Sequence, residues 1–322
     1  MSELKQTKGF AQFRGIIGGL ERVKEAITKR SETRQYMDSD KIKKLQFSIK
    51  TSDDNVLYVE VKQFKTGNSL KNVYISKRDE ESKKTETKAV PFNERHRSFE
   101  DGWKIIGIAL KSHNDEYAKS LVPYDAIDYI LENFQDGDSV FLNTEMSHSD
   151  DGKGKFYTNY EIKRMYVTKE PIDFEAENFE EQADFVEDIV FSDVVDTGEN
   201  AFVKAFAINY RGEPQECQFM IEAVDKEVIE FFKSEVSFGD VVSVEGLVNN
   251  RVVYSYRDAS EEEQDDKPMV GRKTKSSQNN SKIREIESEN RSLQIIGVAD
   301  VKKGLYTAEE LGEGDSESDL PF

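Results

Sequence analysis

The sequence predicts a mainly β protein with two similar domains, because alternating strands surround two copies of one helix–turn–strand unit. Residues 124–130 place their apolar side chains on one face of a short helix, and Gly137 and Asp138 then form a turn into an alternating strand. Residues 226–232, followed by Gly239 and Asp240, repeat this unit at a constant offset of 102 residues. A repeated supersecondary unit indicates two copies of one domain.

Predicted strands flank each copy. In the first, Leu45, Phe47 and Ile49 alternate with polar residues, and residues 57–64, 73–75, 103–110, 139–146 and 156–167 continue the β pattern. In the second, strands fit residues 185–195, 202–210, 217–223, 241–248 and 293–301. Three strands, a helix and two strands is the order of a five-stranded Greek-key barrel, and here the sequence resembles the OB-fold. We therefore expect two OB-like barrels, the first with insertions.

Composition divides the chain into four parts. Residues 1–170 are predicted to form the first OB-like domain with a basic insertion, and residues 171–182 an acidic linker. Residues 183–307 are predicted to form the second domain, interrupted by a long mobile loop at 258–291. The acidic, Gly/Ser-rich residues 308–322 are predicted to be a disordered tail.

Overall composition excludes several classes of protein. The chain has 322 residues, of which 34% are charged, and its one cysteine, Cys217, rules out an intrachain disulfide or a cysteine zinc site. This fits a reducing cytoplasm. No apolar leader and no membrane-spanning stretch are visible, so we expect no membrane partner.

Charge is distributed unevenly along the chain. The net charge is −19, yet residues 1–111 carry a net +8 and the remainder −27. Residues 170–199 contain twelve acids and no Lys or Arg. This asymmetry indicates a polyanion-binding part followed by an acidic linker and tail, with an unevenly solvated surface as the alternative.

Single-strand binding needs cations to replace counterions on phosphate and aromatic faces on which bases stack. The outer face of the strand at residues 56–64 offers both, and neighbouring basic residues extend it. The candidates in the first domain are Lys50, Tyr58, Lys62, Phe64, Lys71, Tyr74, Lys77 and Arg78. Lys83, Lys84, Lys88, Arg95 and Arg97 lie in an insertion able to close over a strand. The alternative is that these aromatics pack under the insertion.

Two further regions supply candidates. The loop between the last two strands of the first barrel contains Lys153, Lys155, Phe156 and Tyr157. The platform of the second barrel is drawn from Phe202, Lys204, Phe206, Tyr210 and Arg211. Both faces of that strand contain apolar residues, so the sequence leaves open which of these side chains point outward.

The last four residues form the most specific motif. Asp319, Leu320, Pro321 and Phe322 end an acidic tail, which resembles the C-terminal tip of bacterial and bacteriophage single-stranded DNA-binding proteins. The resemblance implies a protein that coats single-stranded DNA and recruits replication, recombination and repair proteins through this tip. The terminal carboxylate and ring suit a basic, apolar-floored pocket. Two domains per chain depart from the usual bacterial member and fit a phage-type one better.

The sequence gives little support for a catalytic function. The three histidines show no metal-ligand spacing, no phosphate-cradling loop is present, and we expect no metal and no cofactor. Two other functions stay open: an adaptor whose OB-like domains bind protein with an acidic, DNA-mimicking surface, and a metal-dependent nuclease. The sequence does not decide whether the protein prefers DNA or RNA, or whether the chain forms a homo-oligomer.

Overall fold

The computed structural model describes residues 4–29, 33, 35–79, 82–97, 99, 102–150, 155–258 and 282–312. The predicted mainly β fold is confirmed. The strands of the first half are, in chain order, β1 (Gly9–Gly18), β2 (Tyr36–Asp38), β3 (Ile42–Lys50), β4 (Val56–Phe64), β5 (Asn72–Arg78), β6 (Thr85–Pro91), β7 (Lys104–Ile105), β8 (Ile108–Lys111), β9 (Lys119–Leu121), β10 (Ser139–Asp150) and β11 (Phe156–Val167). The helices are α1 (Leu20–Thr28), α2 (Pro123–Asn133), α3 (Lys226–Ser234) and α4 (Ala308–Leu311).

Strands β1, β3, β4, β11 and β10 close into the first barrel. β1, β3 and β4 pair antiparallel in sequence, β4 pairs parallel with β11, and β10 returns antiparallel to β1. This is the strand order of the OB-fold, with α2 between the third and fourth strands. Leu45, Phe47 and Ile49 face inward as predicted, and each is fully buried.

The insertion of the first barrel lies between β4 and α2. It forms a separate three-stranded sheet in the order β6-β5-β7, while β8 pairs parallel with β11. Arg95 was expected in a part of this insertion that closes over DNA. Its guanidinium instead donates to both carboxylate oxygens of Asp125, at 2.8 and 3.1 Å, and ties the insertion to α2.

The second barrel repeats the architecture. Its strands are β12 (Gln182–Asp196), β13 (Asn200–Ile208), β14 (Pro214–Glu222), β15 (Val241–Asp258) and β16 (Lys282–Lys302). β12, β13 and β14 pair in sequence, β14 pairs parallel with β16, and β15 returns to β12. The loop predicted over 258–291 is therefore too long, because residues 282–291 belong to β16.

Matching hydrogen bonds confirm the internal repeat. The N–H of Ile17 donates to the carbonyl of Asp138, and that of Phe191 donates to the carbonyl of Asp240, both at 2.9 Å. In each copy the glycine before the aspartate returns a 2.9 Å bond to the same strand residue. Both aspartate side chains are buried and cap their turns. The Gly-Asp turn thus fixes where the fourth strand meets the first.

The two barrels share one sheet and one core. β1 and β12 pair antiparallel, with Ala11 opposite Phe185 and Phe13 opposite Ala183. All four side chains are buried within a continuous apolar cluster that extends through both barrels. The first strand of each barrel is consequently central to the joined sheet, which holds the barrels in a defined relation.

The chain ends cover the outer face of β13. Thr7 donates its N–H to the carbonyl of Ile208 at 3.0 Å, and Leu311 of α4 is buried beside Phe206. A capping box at Thr307 starts this short helix. The predicted disordered tail therefore does not begin at 308, and residues 313–322 lie outside the described part of the chain.

Candidate nucleic-acid interface

A groove of about 1000 Å³ runs between the two barrels. Its walls come from the start of β4 and the first residues of β11 on one side, and from β14, β15 and β16 on the other. It is lined by Asp54, Val56, Leu57, Tyr58, Lys155, Phe156, Tyr157, Thr158, Tyr160, Gln218, Val248, Asn249, Asn250, Arg291, Ser292 and Leu293. This groove brings together four of the predicted site residues: Tyr58, Lys155, Phe156 and Tyr157.

Aromatic rings dominate the first-barrel wall. Tyr58 is 50% exposed and Tyr157 is 42% exposed, so both present ring surface to solvent. Phe156 is half-buried, and Tyr160 is buried with its ring 5.1 Å from that of Phe13. Burial, with the nearby Glu187 carboxylate, raises the pKa of Tyr160, which keeps its phenol neutral. The groove thus has two accessible aromatic faces above an uncharged floor.

Two cations line the groove, one from each barrel. The Lys155 ammonium lies 5.3 Å from the centre of the Tyr157 ring, so the cation and the ring form one surface element. Arg291 of β16 lies on the opposite wall and is exposed. Cations facing each other across an aromatic-lined groove suit a single strand, whose phosphates and bases need both kinds of contact. The predicted Lys153 lies outside the described residues.

A polar cluster fixes the end of the groove. Arg251 of the second barrel forms ion pairs with Asp54 of the first barrel and with Glu181, which precedes β12. Glu181 also accepts hydrogen bonds from Thr51 at 2.7 Å and from the buried Asn55 at 2.8 Å. Burial raises the pKa of Asp54, but hydrogen bonds from Ser52 and Arg251 outweigh it, so this pKa lies below its usual value. Asp54 therefore stays ionised, and its negative charge is already balanced by Arg251.

A buried contact between a histidine and a carboxylate joins the barrels. Nε2 of His148 on β10 lies 2.8 Å from Oε1 of Glu187 on β12, and each side chain is 2% exposed. Nδ1 of His148 contacts the hydroxyl of Thr158 at 3.2 Å. Such a contact is costly to break, because removal of the histidine leaves the Glu187 carboxylate buried without this partner. The contact therefore holds β10 and β12 together on either side of β1.

The middle of the predicted β4 platform is an ion-pair ladder, a row of alternating charges across β3, β4, β11 and β10. Its members are Lys44, Glu60, Lys62, Glu161, Lys163 and Glu145. Successive contacts measure 2.6, 2.7, 3.9, 2.7 and 2.9 Å. Lys62 points outward as predicted, but its charge is matched by Glu60. The three lysines and three glutamates of the ladder carry no net charge. The Glu60 side chain is only 4% exposed.

Two other predicted residues flank this ladder. Phe64 is half exposed at the opposite end of β4 from Tyr58. Lys50 pairs with Asp53 at 2.7 Å, and its ammonium lies 5.0 Å from the centre of the Phe174 ring. The continuous platform expected along β4 is therefore divided: Tyr58 belongs to the groove, and Phe64 lies beyond a neutral strip.

Four more of the predicted site residues of the first domain lie on or beside β5. Tyr74 and Arg78 are exposed on one face of its sheet, whereas Lys77 lies on the face of the buried Val73 and Ile75. Lys71 is exposed in the turn before β5. These residues form a surface separate from the groove.

In the second barrel, the structure corrects the prediction for one residue. Phe206 is 4% exposed, because the chain ends cover it together with Ile208 and Leu311, so the prediction that it belongs to a binding platform is wrong. Phe202 is half-buried and Lys204 is exposed. Tyr210 and Arg211 are exposed in the β13–β14 turn, where the Arg211 side chain donates to the Tyr210 hydroxyl at 2.9 Å.

Some groove residues were missed from the sequence. Arg291 was placed in the predicted mobile loop, and Gln218 and Asn249 carry no motif. The proposed partner-binding residues Asp319, Leu320, Pro321 and Phe322 lie outside the described residues, so their role stays a prediction.

Two features are absent from the residues that the structure describes: a metal-binding cluster and a membrane-spanning helix. No three His, Cys, Asp or Glu side chains there lie close enough together to hold a metal ion. Among the described helices, none is long and apolar enough to cross a membrane.

Comparison with known proteins identifies the family. Residues 111–319, more than half of the chain, match the YorF family model, and the chain belongs to the YorF family. No curated protein sequence matches the chain significantly. Among solved structures, the chain is similar to a deletion mutant of the single-stranded DNA binding protein from Thermus aquaticus, with 11% identity and a TM-score of 0.34. That match covers 78% of this chain and 89% of the other.

Proposed function

We propose that this protein is a non-enzymatic single-stranded DNA-binding protein, and that the groove between its barrels holds the strand. The observation that carries the proposal is the convergence of Tyr58 and Tyr157 with Lys155 and Arg291 in one groove. Rings provide stacking surfaces for any base, and the cations provide phosphate contacts, so binding is independent of sequence.

The groove suits a single strand rather than a duplex. A duplex presents its phosphates outward and keeps its bases stacked on one another, which leaves the two exposed tyrosines without a partner. An unpaired strand offers both phosphate and base faces to a narrow aromatic groove. The two barrels contribute opposite walls, so the binding site needs both.

The role in the cell follows from the acidic tail. The Asp319–Phe322 tip resembles that of bacterial and bacteriophage single-stranded DNA-binding proteins, and its ring and carboxylate suit a basic pocket on a partner. In this proposal the protein coats DNA during replication, recombination or repair in a bacterial or phage-infected cytoplasm. The tip then recruits partner proteins.

Oligo-dT binding to the double variant Tyr58→Ala/Tyr157→Ala tests the groove. Each stacked base contributes about 1–3 kcal/mol, so affinity for dT of about eight nucleotides is expected to fall at least 30-fold. Tyr117→Ala is the matched control, because Tyr117 is 74% exposed outside the groove, and it should bind normally. Unchanged affinity in the double variant would contradict the groove.

The adaptor function is separated from DNA binding by the same assay. The neutral ladder and the acidic residues 170–199 favour an adaptor that binds a basic protein. In that case dT is not shifted at micromolar protein, and the groove substitutions change nothing. Removing Phe322 should weaken partner recruitment without changing dT affinity. A large loss of dT binding would show that the tail has another role.

A further inference from the structure

In the part of the chain that the structure describes, one face of the insertion sheet is exposed. β5 is the central strand, and residues opposite one another in antiparallel pairs share a face. Tyr74 is opposite Ala89, and Ser76 is opposite both Thr87 and Lys104. Arg78 continues this face towards the hairpin. We call this surface, centred on Tyr74 with Arg78 and Lys104, the open sheet face.

On the strands that the structure describes, the open sheet face carries two cations and no acids. On its strands as the structure describes them, the neighbours of Tyr74, Arg78 and Lys104 are Asn72, Ser76, Thr85, Thr87, Ala89 and Pro91. Glu86 of β6 is opposite Lys77 on the other face. Within the described part of the chain, neither Arg78 nor Lys104 forms an ion pair, and both are exposed. Their charges are available to an external anion.

The centre of the open sheet face is an accessible ring. Tyr74 is 56% exposed, and its cross-strand neighbours are small, so nothing on the strands covers it. Ile106, whose N–H donates to the Tyr74 carbonyl at 2.8 Å, is half exposed beside it. Both cations lie on the same side of this ring, Lys104 opposite Ser76 and Arg78 two residues further along β5. An exposed tyrosine followed by two cations has the chemistry that a base and its neighbouring phosphates require.

We propose that the open sheet face is a second contact site for single-stranded DNA, in which a base stacks on Tyr74 and phosphates pair with Arg78 and Lys104. The inference rests on the proposed function and adds to it that the bound segment extends beyond the groove. Tyr58 and Phe64 are six residues apart on β4, which spans about 20 Å, and the open sheet face follows Phe64 along the chain. A short strand therefore fills only the groove, and a longer strand reaches both.

The test compares two charge-reversal variants with dT of about 8 and about 30 nucleotides. The first is Arg78→Glu/Lys104→Glu, on the open sheet face. The second, the matched control, is Lys71→Glu/Lys77→Glu, which changes the charge by the same amount and, by the two-residue alternation along β5, lies on the opposite side.

We expect the first variant to lose about tenfold in affinity for the long oligomer, with its slope against salt reduced by about 1.4, because two phosphate contacts are lost. Its affinity for the short oligomer should change no more than that of the control variant.

Two outcomes would overturn the inference: equal losses in both variants, or no loss in either. Failure of the groove gives a different result. If Tyr58→Ala/Tyr157→Ala binds the short oligomer normally, the groove proposal fails. If in the same experiments Arg78→Glu/Lys104→Glu still loses long-oligomer affinity, the open sheet face stands as a site in its own right.

Discussion

The first domain presents two sheet surfaces with lysines, and they differ in how the charges are matched. On the ion-pair ladder, Lys44 and Lys62 share Glu60, and each contact is 2.7 Å or shorter. On the open sheet face, Arg78 and Lys104 have only small neutral neighbours on the adjacent strands. A count of basic residues makes the two surfaces look alike. Only the pattern of pairing distinguishes a surface that stabilises the fold from one able to bind a polyanion.

The contrast has a physical reason. A lysine held between two carboxylates has already exchanged water for a protein partner, so an external phosphate gains little by replacing that partner. An unpaired cation can replace a counterion that is condensed on a polyanion, and the release of those counterions from the polyanion drives binding. We therefore expect that removing a carboxylate from paired lysines converts a surface that stabilises the fold into one that binds a polyanion.

The largest effect on stability is expected for the most deeply buried pair, His148 and Glu187. His148→Ala leaves the Glu187 carboxylate buried without its partner, and we expect the free energy of unfolding to fall by about 3–5 kcal/mol. Urea denaturation followed by circular dichroism measures it. His113→Ala is the control, because His113 is exposed at 3.6 Å from Asp138 and should cost less than about 0.5 kcal/mol. Similar values for the two variants would show that burial is not what gives the pair its importance.

Glu60→Gln should convert the ladder into a cationic surface. Lys44 and Lys62 lose the carboxylate between them, so we expect about 2 kcal/mol less stability and about fivefold tighter dT binding with a steeper salt dependence. Glu161→Gln is the milder comparison, because Glu161 is more exposed and should cost under about 1 kcal/mol. If neither variant gains affinity, pairing is not what keeps DNA from this surface.

The smallest effect concerns pH. Burial raises the pKa of Glu60, but hydrogen bonds from Lys44 and Lys62 outweigh it, so the folded pKa lies below the ordinary 4.5. Its contribution to stability is present above that value and is lost as the pH falls through the folded pKa. Between about pH 6 and about pH 3.5, wild type should therefore lose more stability than Glu60→Gln. Equal losses would place the acid-sensitive groups elsewhere, for example at Asp54 or Asp240, whose pKa values are also lowered.

Several features of the fold were predictable because they depend on local pattern. Strict alternation identified the buried face of β3, and the repeated helix and Gly-Asp turn identified two related barrels. The buried Phe206 was not predictable, since its strand is apolar on both faces and the residues that cover it come from the two ends of the chain. The pairing of Lys62 was equally hidden, because its partner lies two residues away on the same face and a ladder needs four strands in register.

By itself, the sequence determined the β class, the duplicated barrel and the outward direction of Tyr58 and Phe64, because strand periodicity and turn residues act over a few positions. The tertiary structure alone decided which cations are matched by carboxylates, how β1 and β12 join the barrels, and that residues from β4, β11 and β16 meet in one groove. Those features depend on contacts between residues far apart in the chain, and charge pairing in particular is set by side chains that meet only when the strands are in register.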